Sequence, residues 1–117
     1  MFDRQPPAPP SLRNRRTTGE RLRDALLEIA GSKAIILAHR EKSWASITFA
    51  GSRHSIELGF EGREAVHAGE QFIVTLPDHE FGIPGRLVAE AAVVEAVHRL
   101  DPPSLRVTCD LLLLEDA

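Results

Sequence analysis

The spacing of apolar residues changes along this chain from a helical period to strand alternation, and that change limits the folds it can adopt. Leu22, Leu26 and Ile29 recur at the spacing of one helical face. From Leu105 to Leu113 the apolar residues instead occupy every second position, as in a strand with one buried face. Both periods occur within 117 residues, which is the length of one domain. We therefore expect a single α+β domain.

The first helix has a clear start and a clear end. Thr17 and Glu20 have the spacing of a capping box, in which the threonine hydroxyl accepts from an early helix amide and the glutamate reaches back. Gly31 suits a C-terminal cap, because glycine adopts a positive φ without strain. The sequence predicts a helix over residues 18–30.

A three-strand antiparallel meander is predicted after this helix, with strands at 34–38, 44–50 and 54–60. Gly51 and Ser52 would form a two-residue type II′ turn, since glycine favours the first position of that turn. Such a turn places Ile47 opposite Ile56, so that apolar residues meet on one face of the sheet.

The next segment, residues 63–76, allows two interpretations. Its apolar residues follow a helical stripe, although Gly69 costs a helix roughly 1 kcal/mol relative to alanine. We predict a helix that ends before Pro77, and a strand over 70–76 is the alternative.

A C-terminal β-hairpin is predicted from residues 86–99 and 105–114, joined by a turn at 101–104. The alanines of 86–99 also suit a helix. A tight pairing would set Arg99 against Arg106, so we expect a bulge in this hairpin. The predicted fold is a mainly antiparallel sheet with both helices packed on one face.

Charge is unevenly distributed between an N-terminal arm and the rest of the chain. Residues 1–23 hold six arginines and two acids, whereas the remainder holds eight basic residues and fifteen acids. Residues 1–16 are proline-rich and predict an extended arm, followed by a domain at 17–117. Arg13, Arg15 and Arg16 are its candidate contacts, either with an anionic surface or with the acidic body itself.

Asp78, His79, Glu80 and Arg86 form the densest polar cluster in the sequence. Histidine titrates near neutral pH and a neighbouring carboxylate can orient it, so this loop is a candidate ligand-binding or acid–base site. A solvated loop with local turn hydrogen bonds is the alternative.

Leu112 and Leu114 interrupt the polar face of the last strand. Exposed apolar area on a small domain often marks an interface, so these two leucines are candidates for homo-oligomer formation through the last strand. A covering helix is the alternative.

No catalytic, metal or cofactor motif is present in the sequence. The five histidines lack the spacing of a local ligand pair, and His54 is interpreted as a rim residue beside Phe49. Cys109 alternates with core residues and is expected to be a buried, inert thiol. We therefore predict no metal and no cofactor, and we do not expect an enzyme.

The predicted helix–three strands–helix order of residues 18–76 resembles that of double-stranded RNA-binding domains. Those domains have a Lys/Arg-rich start to the second helix, whereas this chain reads Glu61-Gly62-Arg63-Glu64 there. The net charge of −3 also disfavours non-specific nucleic-acid binding by the body.

The function predicted from the sequence is that of a small, non-catalytic cytoplasmic domain that self-associates or binds a protein partner. The alternatives are a nucleic-acid or anionic-surface binder acting through the arm, and a small enzyme or ligand binder using the 78–86 loop. The N-terminus has no apolar leader pattern, and no apolar run approaches the roughly 20 residues of a membrane span.

Overall fold

The computed structural model describes residues 16–115, which form two helices and one four-stranded antiparallel sheet. The elements are α1 (Thr18–Ile29), β1 (Ile35–Ala45), β2 (Ala50–Glu61), α2 (Arg63–Thr75), a 3₁₀ turn (Leu76–Asp78), β3 (Arg86–Leu100) and β4 (Pro103–Glu115). The strand order across the sheet is β1-β2-β4-β3. The predicted α+β class, with an antiparallel sheet, is confirmed.

Helix α1 begins with the predicted capping box. The Glu20 amide donates to the Thr17 hydroxyl at 3.0 Å, and the Thr17 amide donates to the Glu20 carboxylate at 2.8 Å. The hydrogen bond that the Thr17 amide donates to the carboxylate, with a further one from the Thr17 side chain, lowers the pKa of Glu20. The helix ends before Gly31, which has a φ of 64°.

The prediction of three strands between the helices is wrong, because the structure has two longer strands there. Strand β1 runs unbroken through residues 35–45, and the turn lies at Ser46–Phe49 instead of at Gly51-Ser52. The Ser46 hydroxyl closes that turn by accepting from the amides of Thr48 and Phe49 at 3.3 and 3.0 Å. The helix–three strands–helix resemblance is lost with this change.

The new turn changes the register of the whole hairpin. Ala45 pairs with Ala50 and His39 pairs with Ile56, so the predicted pairing of Ile47 with Ile56 is wrong. Gly51 does not form a turn but lies in β2, where it allows the close approach of β4. It lies opposite Leu114, and a Cβ there would collide with the backbone of β4.

The hydrophobic core fills the space between both helices and one face of the sheet. Phe60 of β2 and Phe72 of α2 are fully buried, and their ring centroids are 6.1 Å apart. Alternate residues of β2 and β4 supply most of the sheet side of the core: Ile56, Leu58, Phe60, Leu105, Val107, Cys109, Leu111 and Leu113. In the described part of the chain, the opposite face of the sheet carries no helix, and we call it the helix-free face.

The second half of the chain follows the sequence interpretation more closely. Residues 63–75 are helical, so the strand alternative for 70–76 is excluded. Residues 86–100 and 103–115 form the predicted hairpin. The expected bulge is present twice, between Val88 and Glu90 and between Val93 and Glu95, and the shifts bring Arg99 opposite Ser104.

Candidate functional site: a buried histidine pair

Two histidines meet where β1 and β2 pair, on the core side of the sheet. His39 and Glu41 lie two residues apart on β1 and therefore point to the same face. His54 lies directly opposite Glu41 on β2 and is fully buried. The first turn of α1 covers them, because a Cβ at Gly19 would lie 3.2 Å from the His39 ring.

A continuous series of side-chain contacts links α1 to the start of β2 through this pair. The Arg23 guanidinium lies 2.5 Å from Nδ1 of His39. Nε2 of His39 is 2.9 Å from Nδ1 of His54, and Nε2 of His54 is 2.8 Å from the Ser52 hydroxyl.

The direction of every hydrogen bond in this series follows from Arg23. Arginine has only donors, so His39 must accept at Nδ1 and carry its proton on Nε2. That proton is donated to Nδ1 of His54, whose own proton then lies on Nε2 and is donated to Ser52. Both rings are therefore neutral, and all four ring nitrogens have a partner.

The surroundings favour this neutral state. Burial lowers the pKa of His39, and electrostatic repulsion of its protonated form by His54 and Arg23 lowers it further. Burial also lowers the pKa of His54, against a smaller opposing effect of Glu41. Two neutral imidazoles beside a carboxylate are a set of nitrogen and oxygen donors. The ligand atoms of His39, Glu41 and His54 lie within 4.8 Å of one another.

Sequence reasoning missed this cluster because it depends on the strand register. With a turn at Gly51-Ser52, His54 would stand beside Phe49 at the rim, and that prediction is wrong. Phe49 lies in the exposed turn, whereas His54 is buried opposite Glu41. The available signal was the His39-x-Glu41 spacing, which places two donors on one strand face.

The 78–86 loop does not bring its polar residues into one cluster. His79 and Glu80 are exposed and line a shallow groove against α1. The His79 ring packs edge-on against Phe81, with centroids 4.7 Å apart. Arg86 donates to the Gly85 carbonyl, and Asp78 ends the 3₁₀ turn. No hydrogen bond or ion pair between the predicted site residues is found within residues 16–115.

The predicted interface leucines lie on the helix-free face, yet they are covered. Leu112 is 4% exposed and Leu114 is 8% exposed. Leu112 stands between Arg53 and Glu90 in the register, and those two side chains form an ion pair of 3.7 Å. Strand β4 is also central in the sheet, so both of its backbone edges are paired.

Of the candidate arm contacts, only Arg16 falls among the described residues. Its guanidinium lies 2.8 Å from the Asp24 carboxylate of α1, with both side chains about half exposed. This is one contact between the end of the arm and the acidic body. Arg13 and Arg15 lie outside the described residues, and so do the other residues of the arm.

Comparison with protein-family models, with characterised proteins and with solved structures finds no match to this chain. Neither α1 nor α2 is long and apolar enough to cross a membrane, and residues 16–115 contain no other α-helix.

Proposed function

We propose that this protein is a non-catalytic self-association domain whose partner is a second copy of the same chain. The outer edge of β3 carries the proposal. Strand β3 is 15 residues long and lies at the edge of the sheet, with its outer backbone groups unpaired within the described structure. A long unpaired edge is a ready template for another strand.

The two edge strands of the sheet differ in a way that favours β3. At the other edge, β1 has three consecutive charged residues at its centre, Arg40 to Lys42, and charges of this kind block edge-to-edge pairing. The four charged residues of strand β3 are spread along its length with none adjacent to another, and the strand is otherwise built mainly of alanine and valine. Its exposed apolar side chains include Val94, Val97 and Leu100.

One register for two β3 strands matches their charges. The segment Glu95–Leu100 follows the second bulge and is regular. An antiparallel pair centred on Val97 sets Glu95 opposite the second copy's Arg99, and by symmetry the same contact forms twice. The result would be a continuous eight-stranded sheet.

Light scattering coupled to size-exclusion chromatography tests this proposal. We expect the wild-type chain to be a dimer and Val97→Lys to be a monomer, because Val97 faces itself in this register and two lysines would repel each other. Val74→Lys is the matched control. Val74 is 71% exposed and belongs to α2, not to β3, and this variant should remain a dimer.

A charge exchange tests the register itself. Glu95→Arg and Arg99→Glu should each weaken the dimer by about tenfold, since two cross-strand pairs of about 0.2–1 kcal/mol each become repulsive. The double variant should restore dimer formation. A wild-type monomer at concentrations of about 1 mM would overturn the proposal, because it limits the association to a millimolar Kd or weaker.

A further inference from the structure

We propose that His39, Glu41 and His54 form a binding site for a divalent transition-metal ion of the Zn²⁺ class, and that Arg23 competes with the ion for His39. This site is independent of the β3 edge. It departs from the sequence prediction of no metal, which was based on the absence of local ligand spacing.

The spacing of the two imidazoles is close to that of two ligands on one ion. Nε2 of His39 and Nδ1 of His54 point at each other at 2.9 Å. Two nitrogens at Zn–N distances of about 2.0–2.1 Å in tetrahedral geometry are roughly 3.3 Å apart. A small separation of the rings, with a tilt that makes both nitrogen lone pairs converge on one point, would convert this hydrogen bond into a pair of metal ligands.

Glu41 supplies the third donor. Its carboxylate belongs to the same cluster, and it is exposed at the edge of the sheet, so it can approach the ion without loss of packing. Two nitrogens and one oxygen suit Zn²⁺ and its neighbours in the first transition row better than Mg²⁺ or Ca²⁺, which prefer oxygen. Three protein ligands leave one tetrahedral position for water.

The contacts around His54 already orient it as a ligand. Its Nε2–H donates to the Ser52 hydroxyl at 2.8 Å, which leaves the lone pair of Nδ1 directed at His39. A second ring nitrogen held by a hydrogen-bond acceptor is the usual support for a metal-bound histidine. Room above the cluster comes from Gly19, where a Cβ would lie 3.2 Å from His39 and 3.8 Å from the Glu41 carboxylate.

Arg23 opposes the metal through the tautomer of His39. While Arg23 donates to Nδ1, the His39 proton lies on Nε2, where the ion must bind. Metal binding requires that Nε2 lose its proton and that Nδ1 gain one, with no net change in the protonation of the ring. The Arg23 contact must then break, since Nδ1–H no longer accepts. Arg23 also carries a positive charge that repels the ion.

Titration of the full chain with Zn²⁺ by calorimetry tests the site, with Co²⁺ absorption as a report on coordination geometry. We expect one equivalent to bind to the wild-type protein. Glu41→Gln should weaken binding by at least about tenfold, and His39→Ala should abolish it. Arg23→Met keeps the aliphatic stem of the side chain but removes the donors, so it should strengthen binding by at least about threefold.

His67→Ala is the matched control, because His67 is exposed on α2 and belongs to no donor cluster found among the described residues. It should bind Zn²⁺ as the wild type does. If His39→Ala does not fold, Glu41→Gln and Arg23→Met still decide the outcome. The proposal is overturned if neither the wild type nor Arg23→Met binds saturably, or if Glu41→Gln binds as tightly as the wild type. Unchanged affinity in Arg23→Met would overturn the competition.

Histidine nitrogen NMR gives a second readout. Metal addition should move the His39 ring proton from Nε2 to Nδ1 while His54 keeps its proton on Nε2. Persistence of the Nε2 proton of His39 in the metal-loaded sample would contradict this binding mode.

Discussion

At the scale of single residues, two fully buried side chains on the core face of β2 and β4 differ in whether they have hydrogen-bond partners. His54 and Cys109 are both fully buried in the same layer of the sheet. His54 remains polar in its chemistry because both of its ring nitrogens have hydrogen-bond partners. Cys109 lies among apolar side chains of the core cluster. Burial and the nearby Asp110 charge raise the pKa of its thiol to about 12.

The Cys109 thiol should therefore be unreactive in the folded protein. A thiol reagent at pH 8 should label the native chain at a negligible rate and label one equivalent after denaturation, because the thiolate is the nucleophile. Because the folded state disfavours the thiolate, the free energy of unfolding should fall as the pH rises above 9.0, the ordinary value of the thiol pKa, toward 12. Labelling of native and denatured chain at equal rates would contradict the assignment.

At the scale of elements, α2 packs closely against the sheet because Gly69 has no side chain at the contact. A Cβ at Gly69 would lie 2.7 Å from a methyl carbon of Leu105 and 2.9 Å from the Phe60 ring. Both neighbours are core residues with little freedom to move. The sequence predicts this helix from its apolar stripe despite the glycine, and the packing explains why the glycine is there.

Gly69→Ala separates helix propensity from packing, because the two make opposite predictions. Propensity alone predicts a gain of about 1 kcal/mol in the free energy of unfolding. Overpacking costs about 1–3 kcal/mol. We expect a net loss of up to about 2 kcal/mol by urea denaturation. Gly82→Ala is the control, since a Cβ there has no neighbour within 4 Å, and it should change stability by less than about 0.5 kcal/mol. Stabilisation by Gly69→Ala would contradict the packing.

At the scale of the whole molecule, the helix layer and the sheet share one core, and within the described residues the other face of the sheet and the outer edge of β3 lie outside it. Both helices pack on the same face, where Phe60 joins β2 to α2. The strand order places β4 in the centre and β3 at the edge. Association through the last strand would therefore have to use its helix-free face, where Leu112 and Leu114 are already covered.

Phe60 and Phe49 provide a matched comparison for this architecture. Phe60 is fully buried and Phe49 is 52% exposed, although both lie on or next to β2. Phe60→Ala should lower the free energy of unfolding by about 3–5 kcal/mol, through lost burial and the remaining cavity. Phe49→Ala should lower it by less than about 0.5 kcal/mol. Equal losses in the free energy of unfolding, measured by chemical denaturation, would contradict the observed register. They would favour the register predicted from the sequence, in which Phe49 lies in a strand.

The elements that depend on local chemistry could be predicted from the sequence. The capping box of α1, the apolar stripe of α2 and the alternation of β4 each arise from residues within one or two turns of chain. The division of residues 34–60 could not, because β1 is an edge strand whose polar centre, Arg40 to Ser43, is solvated and has the composition of a loop. The Ser46 hydroxyl closes the turn that glycine was expected to form.

The sequence by itself determined the α+β class and the first helix with its cap, and it favoured the final hairpin over a helix at residues 86–99, because these features depend on local periodicity and turn chemistry. The tertiary structure alone decided the strand order and the β1–β2 register, because both depend on contacts between residues distant in the chain. The histidine pair illustrates the difference. His39 and His54 are fifteen residues apart, and only the observed register brings their ring nitrogens to 2.9 Å, beneath the first turn of α1.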